Sequence, residues 1–179
     1  LRLQEATDAL NGFGEIYMQQ TKASGVIPQI TGIFGTCGGG MAMIPALTDF
    51  TLMEEKKAKL FVNSPNAIKG NEISKCDTST AAYQAKEAGL VDFKGSEEDV
   101  LAQIRALVTM LPANNEDDMS YEECTDDLNR VCKDLANCAG DTSIALSQIS
   151  DNNVFLEVKA DYAKDMVCGF IKLNGSTVG

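Results

Sequence analysis

The sequence predicts an α/β protein, and three observations favour that class. Apolar residues recur at helical spacing in two long stretches, one at the start of the chain and one around residue 104. Short apolar runs rich in β-branched and aromatic residues lie between these stretches and again after residue 150. Helical and strand patterns occur on both sides of a polar, acidic segment at 112–120, so the mixed class applies to the whole chain.

The first predicted element is a helix at about 4–20, where apolar side chains recur every three or four positions: Leu3, Ala6, Leu10, Phe13 and Tyr17. Gly12 and Gly14 lie inside this helix, where each costs roughly 0.5–1 kcal/mol relative to alanine. We therefore expect a kink or the close approach of another backbone at these two glycines.

Three short apolar runs then predict strands at 24–35, 48–53 and 58–65, the last ending in a turn at Ser64 and Pro65. The charged stretch at 54–57 is expected to form a solvated turn. A second helix is predicted over 78–92.

The cap of that second helix is expected at Thr78 or Ser79, and its end near Gly89. The clearest helix is predicted at 96–111, with Ser96 as its N-cap and acidic residues in its first turn. Its apolar stripe consists of Val100, Ile104, Leu107 and Leu111.

The acidic segment is a predicted domain boundary. We expect a first domain at 1–112, a linker at 113–120 and the start of a second domain at 121–179. Beyond the linker the patterns predict helices at 121–137 and 141–149, a strand at 153–158, a short helix around 161–166, and strands around 167–173 and 176–179.

The composition excludes several classes of function. The chain has 179 residues, a formal net charge of −11 and no histidine. Nucleic acid is not an expected partner, because phosphate binding needs clustered lysine and arginine. Histidine-based catalysis and histidine ligation of metals are also excluded. The chain starts inside a predicted helix without an initiator methionine and stops within a predicted strand–turn–strand, so we expect a piece of a longer protein.

The six cysteines are expected to be free thiols in a reducing compartment. None forms a Cys-x-x-Cys pair, and the three between residues 124 and 138 do not share one helical face, so no metal site is predicted.

The stretch "TGIFGTCGGGMAMIPALTDF" at 31–50 places three consecutive glycines, Gly38, Gly39 and Gly40, between a predicted strand and a short helix. Such a turn exposes backbone N–H groups and lets another molecule approach closely. It can bind a phosphate or stabilise an oxyanion that develops during a reaction. A tight turn at which strand and helix cross, with no ligand, is the alternative.

The phosphate-binding motifs do not fit this turn. A Walker A motif needs Gly-Lys-Ser/Thr where Met41 follows Gly40, and a Rossmann turn needs G-x-G-x-x-G where the chain has G-x-x-G-G-G. No lysine or arginine lies between Gly32 and Met53. A neutral thioester oxygen that becomes an enolate suits these apolar flanks better than a permanent phosphate.

This stretch resembles the carboxyltransferase subunit of biotin-dependent acyl-CoA carboxylases and decarboxylases, a family that acts on propionyl-, acetyl-, methylmalonyl- or glutaconyl-CoA. The family pattern is Gly-x-Cys-x-Gly-Gly followed by Pro-Ala-Leu-Thr-Asp-Phe. The chain matches it at Gly35, Cys37, Gly39 and Gly40, and then throughout 45–50.

The resemblance extends over almost the whole chain. "RLQEATDALNGFGEIY" is similar to the family's Arg-x-Gln-Glu helix, "AKLFVNSPNAIKG" to its Phe-x-x-Gly-Pro segment, and the region after the linker to the opening of its second homologous half. The chain departs from the family pattern at two places: Gln84 replaces a frequent histidine, and "CDTSTA" replaces Leu-Gly-Gly-Ala. These departures bear on which acyl group is bound, and not on membership of the family.

The resemblance implies a crotonase-like ββα spiral, also called the ClpP/crotonase fold, with the end of its first half and the start of its second half in this chain. It implies carboxyl transfer between biotin and an acyl-CoA. The N–H groups of Gly39 and Gly40 would form the oxyanion hole for an enolate-like intermediate of the thioester, with the biotin ureido oxygen as the alternative occupant, and no metal site is expected. The substrate-binding residues would be Gly38, Met41, Pro45 and Phe50.

The resemblance also implies partners and a location. Biotin would arrive on a biotin carboxyl carrier protein, together with biotin carboxylase or membrane decarboxylase subunits, and the full-length subunit would be a homo-oligomer. The location would be cytoplasmic, or at a membrane through a decarboxylase complex. The chain by itself is expected to be inactive.

Other candidate residues have simpler interpretations. Asp49 is a candidate general base, but a hydrogen bond to local backbone is favoured. Cys37 has no neighbouring cation in sequence to lower its pKa, so a buried apolar role is favoured over a nucleophile. Tyr83 and Lys86 could contact the CoA nucleotide, but a helix-surface role is favoured. A crotonase-like hydratase or isomerase and a non-catalytic assembly module are the alternative functions.

Overall fold

The computed structural model describes residues 3–67, 69, 75–117, 123–133, 135–138 and 140–179. Its α-helices, in chain order, are α1 Leu3–Ala23, α2 Met43–Ala46, α3 Ala81–Lys86, α4 Glu97–Met110 and α5 Thr142–Ile149. Its strands are β1 Ile30–Ile33, β2 Thr36–Gly38, β3 Phe50–Glu54, β4 Lys59–Phe61, β5 Phe93–Gly95, β6 Phe155–Val158, β7 Cys168–Leu173 and β8 Ser176–Val178. Short 3-10 helices lie at Gly39–Ala42, Pro65–Ala67, Leu135–Asn137 and Asp151–Asn153.

The first part of the chain forms two small parallel sheets. One has the strand order β1-β3-β5, with Ile30 opposite Phe50 and Leu52 opposite Phe93. The other pairs β2 with β4, with Cys37 opposite Leu60. Parallel strands cannot be joined by a tight hairpin, so helical or irregular segments connect each paired strand to the next.

Two apolar clusters stabilise this arrangement. The first lies between the parallel sheets and α3, and it comprises Ile33, Cys37, Ala42, Met53, Ala58, Leu60, Ala81, Ala85 and Val91. The second lies under α4, and it comprises Leu52, Val100, Leu107, Met110 and Leu156. Burial of each such large side chain contributes roughly 1.5–3 kcal/mol to stability.

The second cluster joins the two parts of the chain, because Leu156 comes from β6. Strands β6, β7 and β8 form an antiparallel sheet, in the order β6-β7-β8. Phe170 of this sheet meets Phe50 of β3 edge to face, with ring centroids 5.9 Å apart. The antiparallel sheet that follows the acidic stretch therefore packs on the first part of the chain, which contains the parallel sheets. The domain limits at 112 and 121 stay a prediction.

Several predicted elements are confirmed. Helix α1 covers the predicted 4–20, and α4 begins with Ser96 as N-cap in a capping box with Asp99. The predicted stripe of α4 is buried or half-buried, with Val100 and Leu107 fully enclosed. The strands predicted at 48–53, 153–158, 167–173 and 176–179 are present as β3, β6, β7 and β8, and α5 begins after its N-cap Asp141.

The helix predicted at 121–137 is wrong over its described residues, which form irregular loop and the 3-10 turn Leu135–Asn137. Arg130 donates to the carbonyl groups of Gln148 and Ser150 at 2.7 and 2.6 Å, and to the carboxylate of Asp126 at 2.7 Å. These contacts with the end of α5 hold the segment as a loop against its helical periodicity.

Two further helix predictions need correction. The short helix around 161–166 is a pair of turns, in which Tyr162 N–H donates to Lys159 and Met166 N–H donates to Ala163. The helix predicted at 78–92 is limited to α3, and its N-cap is Thr80, whose side chain accepts from Tyr83 N–H.

Three smaller expectations also differ from the structure. A Cβ atom added at Gly12 or Gly14 would meet no atom within 4 Å in the described structure, so no backbone packs closely there. Glu54 is buried rather than solvated, because its carboxylate accepts N–H groups of the following turn. Strands β2 and β5, of three residues each, were not predicted.

No helix among the described residues is long and apolar enough to cross a membrane. All six cysteines lie in the described part, and none of them forms a disulfide there. The described residues contain no group of three or more cysteine, aspartate and glutamate side chains that could hold a metal ion.

Candidate active site

The glycine turn lies at the carboxyl end of β2. Gly38 is the last residue of that strand and pairs with Phe61 of β4. The 3-10 helix Gly39–Ala42 follows and runs directly into α2. The sequence folds this way because Pro45 is compatible with the first turn of a helix, and its carbonyl then accepts from the hydroxyl groups of Thr48 and Thr51, both at 3.0 Å.

Gly39 has a backbone conformation that favours glycine. Its φ is +65°, in the left-handed region where a Cβ atom is strained. A Cβ atom at this position would meet no described atom within 4 Å, so the space beside Gly39 is open. A ligand atom can therefore approach the backbone here.

The turn presents two backbone donors. In a 3-10 helix each N–H donates to the carbonyl three residues earlier, so the first residues, Gly39 and Gly40, have no acceptor within the helix. No side chain caps this end, whereas farther along Met43 N–H donates to the carbonyl groups of Gly40 and Met41. The prediction that Gly39 and Gly40 form an oxyanion hole is compatible with this geometry and stays a prediction.

Close packing explains the glycines on either side of Gly39. A Cβ atom on Gly38 would lie 2.8 Å from the ring of Phe61. A Cβ atom on Gly40 would lie 3.1 Å from the ring of Phe13 and 3.2 Å from the hydroxyl oxygen of Tyr17. The turn is thus held between β4 and α1.

Helix α1 supplies contacts that sequence reasoning missed. Tyr17 donates its hydroxyl to the carbonyl of Gly40, and its ring stacks on Phe13 with centroids 6.0 Å apart. Gln20 donates from Nε2 to the carbonyl of Ile44 at 3.3 Å. Tyr17 and Gly40 are 23 residues apart, so no local sequence pattern indicates the contact between them.

The other predicted substrate-binding residues lie in different surroundings. Met41 is 48% exposed beside the turn, and Met43 is similarly exposed. Pro45 is fully buried, and Phe50 packs in the cluster under α4. A binding role for Gly38, Met41, Pro45 and Phe50 stays a prediction, and packing alone accounts for Pro45 and Phe50.

The two reactive candidates have structural roles in this fold. Burial raises the pKa of the Cys37 thiol, which favours the neutral thiol inside an apolar cluster. Asp49 accepts from the backbone N–H of Gln29 at 2.8 Å, so its partner is a backbone group as expected, but one that is 20 residues away in sequence rather than local.

Tyr83 and Lys86, the candidate CoA contacts on α3, make no hydrogen bond with the glycine turn in the described part of the structure. Lys86 is exposed and lies 3.7 Å from the carboxylate of Glu87. Gln84, the departure from the family pattern, donates to the carbonyl of Thr78 at 2.7 Å and so holds the loop before α3.

The site therefore consists of neutral backbone donors, with open space beside Gly39 and exposed methionine side chains nearby. Such donors stabilise negative charge that develops during a reaction, and they cost no reorganisation when they are fixed in advance.

Comparison with known proteins decides the family. The family described as Carboxyl transferase domain matches residues 1–179. This chain belongs to the carboxyl transferase domain family. The family resemblance predicted from the glycine turn is confirmed.

Curated relatives of this carboxyl transferase domain include the methylmalonyl-CoA decarboxylase subunit alpha of Veillonella parvula, which is 37% identical over 189 residues. Another is the propionyl-CoA carboxylase carboxyltransferase subunit of Haloferax mediterranei, which is 38% identical over 189 residues. Each alignment covers 99% of this chain but 37% of the relative, so the chain spans little more than a third of their length.

Solved structures agree on the fold. The chain is similar to transcarboxylase 12S, crystallised as a hexamer assembly with hydrolysed methylmalonyl-coenzyme A bound, with a TM-score of 0.88 and 31% identity. The match covers 100% of this chain and 37% of that one. The β subunit of a geranyl-CoA carboxylase from P. aeruginosa, at 22% identity and a TM-score of 0.54, supports the fold alone. The predicted α/β class with a crotonase-like fold is confirmed.

Proposed function

We propose that this domain forms part of an active site that transfers a carboxyl group between biotin and an acyl-CoA. The observation that carries the proposal is the turn at Gly39 and Gly40, whose backbone N–H groups have no acceptor within the 3-10 helix and which has open space beside Gly39. The names of the curated relatives, a decarboxylase subunit and a carboxyltransferase subunit, support the same chemistry.

The residues present fit both reactants. The turn offers neutral donors to an oxygen that gains negative charge, and its open side leaves room for a planar thioester or ureido group. Biotin, when bound, carries the carboxyl group between sites. The absence of a cation in the flanking sequence from Gly32 to Met53 suits a charge that exists only during the reaction.

The work of this chain is then positioning and electrostatic stabilisation. Gly39 and Gly40 hold the reacting oxygen, and the close packing of Gly38 on Phe61 fixes the direction from which the turn leaves β2. The exposed thioether of Met41 offers an apolar contact to the acyl group or the pantetheine arm. No side-chain nucleophile takes part.

The proposal extends to the assembly. The partners are a biotin carboxyl carrier protein and biotin carboxylase or membrane decarboxylase subunits, and the whole subunit is a homo-oligomer in the cytoplasm or at a membrane-bound decarboxylase. The hexamer assembly described for transcarboxylase 12S supports the homo-oligomer. The 179-residue chain by itself lacks activity, because separated groups lose the advantage of positioning.

Avidin tests the dependence on biotin. The complete subunit, assembled with its carrier, is assayed for exchange of a labelled carboxyl group between acyl-CoA and biotin, with and without avidin. We expect avidin to abolish the exchange, and avidin saturated beforehand with free biotin to leave it intact. Turnover of acyl-CoA that resists avidin would contradict the proposal and favour a hydratase or isomerase.

A further inference from the structure

The carbonyl oxygen of Gly40 accepts two hydrogen bonds. Met43 N–H donates to it from within the helix, and the Tyr17 hydroxyl donates to it from α1. A carbonyl oxygen has two lone pairs, so both are in use.

The contacting face of α1 is continuous. Phe13 and Tyr17 are four positions apart, and Gln20 follows three positions later, so all three lie on one side of the helix. The stacked rings of Phe13 and Tyr17 lie almost parallel, at 14°, and both approach Gly40. Gln20 binds the next turn at Ile44. This side of α1 therefore contacts the turn at several points.

We propose that Tyr17 is a positioning residue for the oxyanion turn; this inference rests on the proposed function. Three consecutive glycines give the backbone wide conformational freedom. The peptide group is planar and rigid, so a hydrogen bond that holds the Gly40 carbonyl restricts rotation about the Gly40 backbone. The Gly40 N–H belongs to the preceding peptide plane, which is joined to the held plane at the Gly40 Cα atom, so this restriction also narrows the range of directions open to the Gly40 N–H.

Removal of the hydroxyl should loosen the turn without unfolding it. Without the Tyr17 hydroxyl, Met43 N–H still donates to the Gly40 carbonyl, and the Phe13 ring still packs against Gly40. The turn is also anchored by β2 on one side and by the buried Pro45 on the other. The consequence is a wider range of N–H directions, and donors that must be reoriented for each reaction are less effective.

Backbone dynamics test this inference without an activity assay. In the 179-residue chain, ¹⁵N relaxation is measured for the amides of Gly39 and Gly40 in wild type, Tyr17→Phe and the control Tyr162→Phe. Tyr17→Phe keeps the ring on Phe13 and removes only the hydroxyl. We expect order parameters near 0.85 in wild type and in the control, and below about 0.6 in Tyr17→Phe. Unchanged order parameters in Tyr17→Phe would overturn the inference.

Kinetics of the complete subunit give the second readout. We expect kcat of Tyr17→Phe to fall about three- to tenfold with KM for the acyl-CoA unchanged, the loss that corresponds to one hydrogen bond. A mobile turn with unchanged kcat would also overturn the inference. A wild-type subunit without avidin-sensitive exchange would contradict the proposed function alone, and the relaxation comparison would still decide the role of Tyr17.

Discussion

At the scale of residues, each glycine of the turn has its own physical reason. Gly38 leaves room for the Phe61 ring, Gly39 adopts a φ of +65°, and Gly40 leaves room for Phe13 and Tyr17. A run of three glycines that looks redundant in the sequence thus meets three separate requirements. Only Gly39 combines a left-handed backbone with open space beside it, which makes it the point of access for a ligand.

Glu54 is a buried carboxylate that organises the turn between β3 and β4. It accepts from the N–H groups of Lys56, Lys57 and Ala58 at 3.1, 2.5 and 3.2 Å. The Lys57 N–H, together with the other two N–H groups and the Lys57 charge, lowers the pKa of Glu54 against the opposing effect of burial. A carboxylate whose pKa is lower in the folded state stabilises the fold above its unfolded pKa, and this stability is lost as the pH falls.

We therefore predict that Glu54→Gln reduces the pH dependence of stability in acid. The free energy of unfolding of wild type should fall as the pH drops through about 4.3, the pKa of an unfolded glutamate, and continue to fall through the lower folded pKa. Denaturant titrations from pH 7 to pH 3 should show a smaller fall for Glu54→Gln. Glu55→Gln, at an exposed neighbour, should behave as wild type; an equal slope for both variants would contradict this assignment.

At the scale of elements, the predictions succeeded where local signals and packing agree. Helix α4 has a capping box and an apolar stripe that both fit its tertiary position. The segment at 121–137 carries similar periodicity, but tertiary hydrogen bonds of Arg130 hold its described residues as a loop. The turn glycines could be predicted because they are consecutive in sequence. Tyr17 could not be predicted, because only the fold brings α1 to the turn.

Helix α1 offers a test of its interior glycines. No described atom lies within 4 Å of a Cβ atom at Gly12, and no positive φ requires glycine there. We predict that Gly12→Ala stabilises the chain by roughly 0.5–1 kcal/mol, because alanine loses less backbone entropy in a helix.

Denaturant unfolding of the 179-residue chain measures this gain. Gly32→Ala is the contrasting variant, since its Cβ atom would meet the side chains of Phe34 at 3.0 Å and Ile104 at 3.2 Å, and it should destabilise the chain. Destabilisation by Gly12→Ala would show that another backbone does pack against α1.

At the scale of the whole molecule, polar contacts reinforce the junction between the two parts of the chain. Lys159 lies 2.9 Å from the carboxylate of Asp92 and donates to the carbonyl of Gly89 at 2.6 Å. The buried Asp92 also accepts from the N–H of Thr51 in β3 at 2.7 Å. Nearby, Lys94 and Asp161 form a second ion pair at 2.9 Å. The antiparallel sheet is thus tied to the central parallel sheet.

We predict that Lys159→Met destabilises this junction. The substitution keeps the aliphatic stem but leaves the buried Asp92 carboxylate without its cation, at a cost of about 1–3 kcal/mol. Denaturant unfolding measures the loss, and limited proteolysis should cut the segment after residue 123 faster. Lys164→Met is the matched control at an exposed lysine with no ion pair among the described residues. Equal stability of the two variants would mean that the Lys159 pair does not hold the junction.

The central claim is that the glycine turn stabilises the reacting oxygen through backbone N–H groups. Proline at Gly39 cannot test it, because proline fixes φ near −65° and Gly39 needs +65°. Gly40 has no positive φ, so proline there removes the N–H with less change of backbone. Gly40→Ala is the matched control, because it adds the same Cβ contact with Phe13 and keeps the donor.

The deciding measurement is kcat of the complete subunit for carboxyl exchange in Gly40→Pro and Gly40→Ala, at matched folded fractions checked by circular dichroism. We expect Gly40→Pro to be about 10²–10³-fold slower than Gly40→Ala, the loss seen when one oxyanion-hole donor is removed. Rates for the two variants within about threefold of each other would contradict the account, because the Gly40 N–H would then contribute less than one ordinary hydrogen bond.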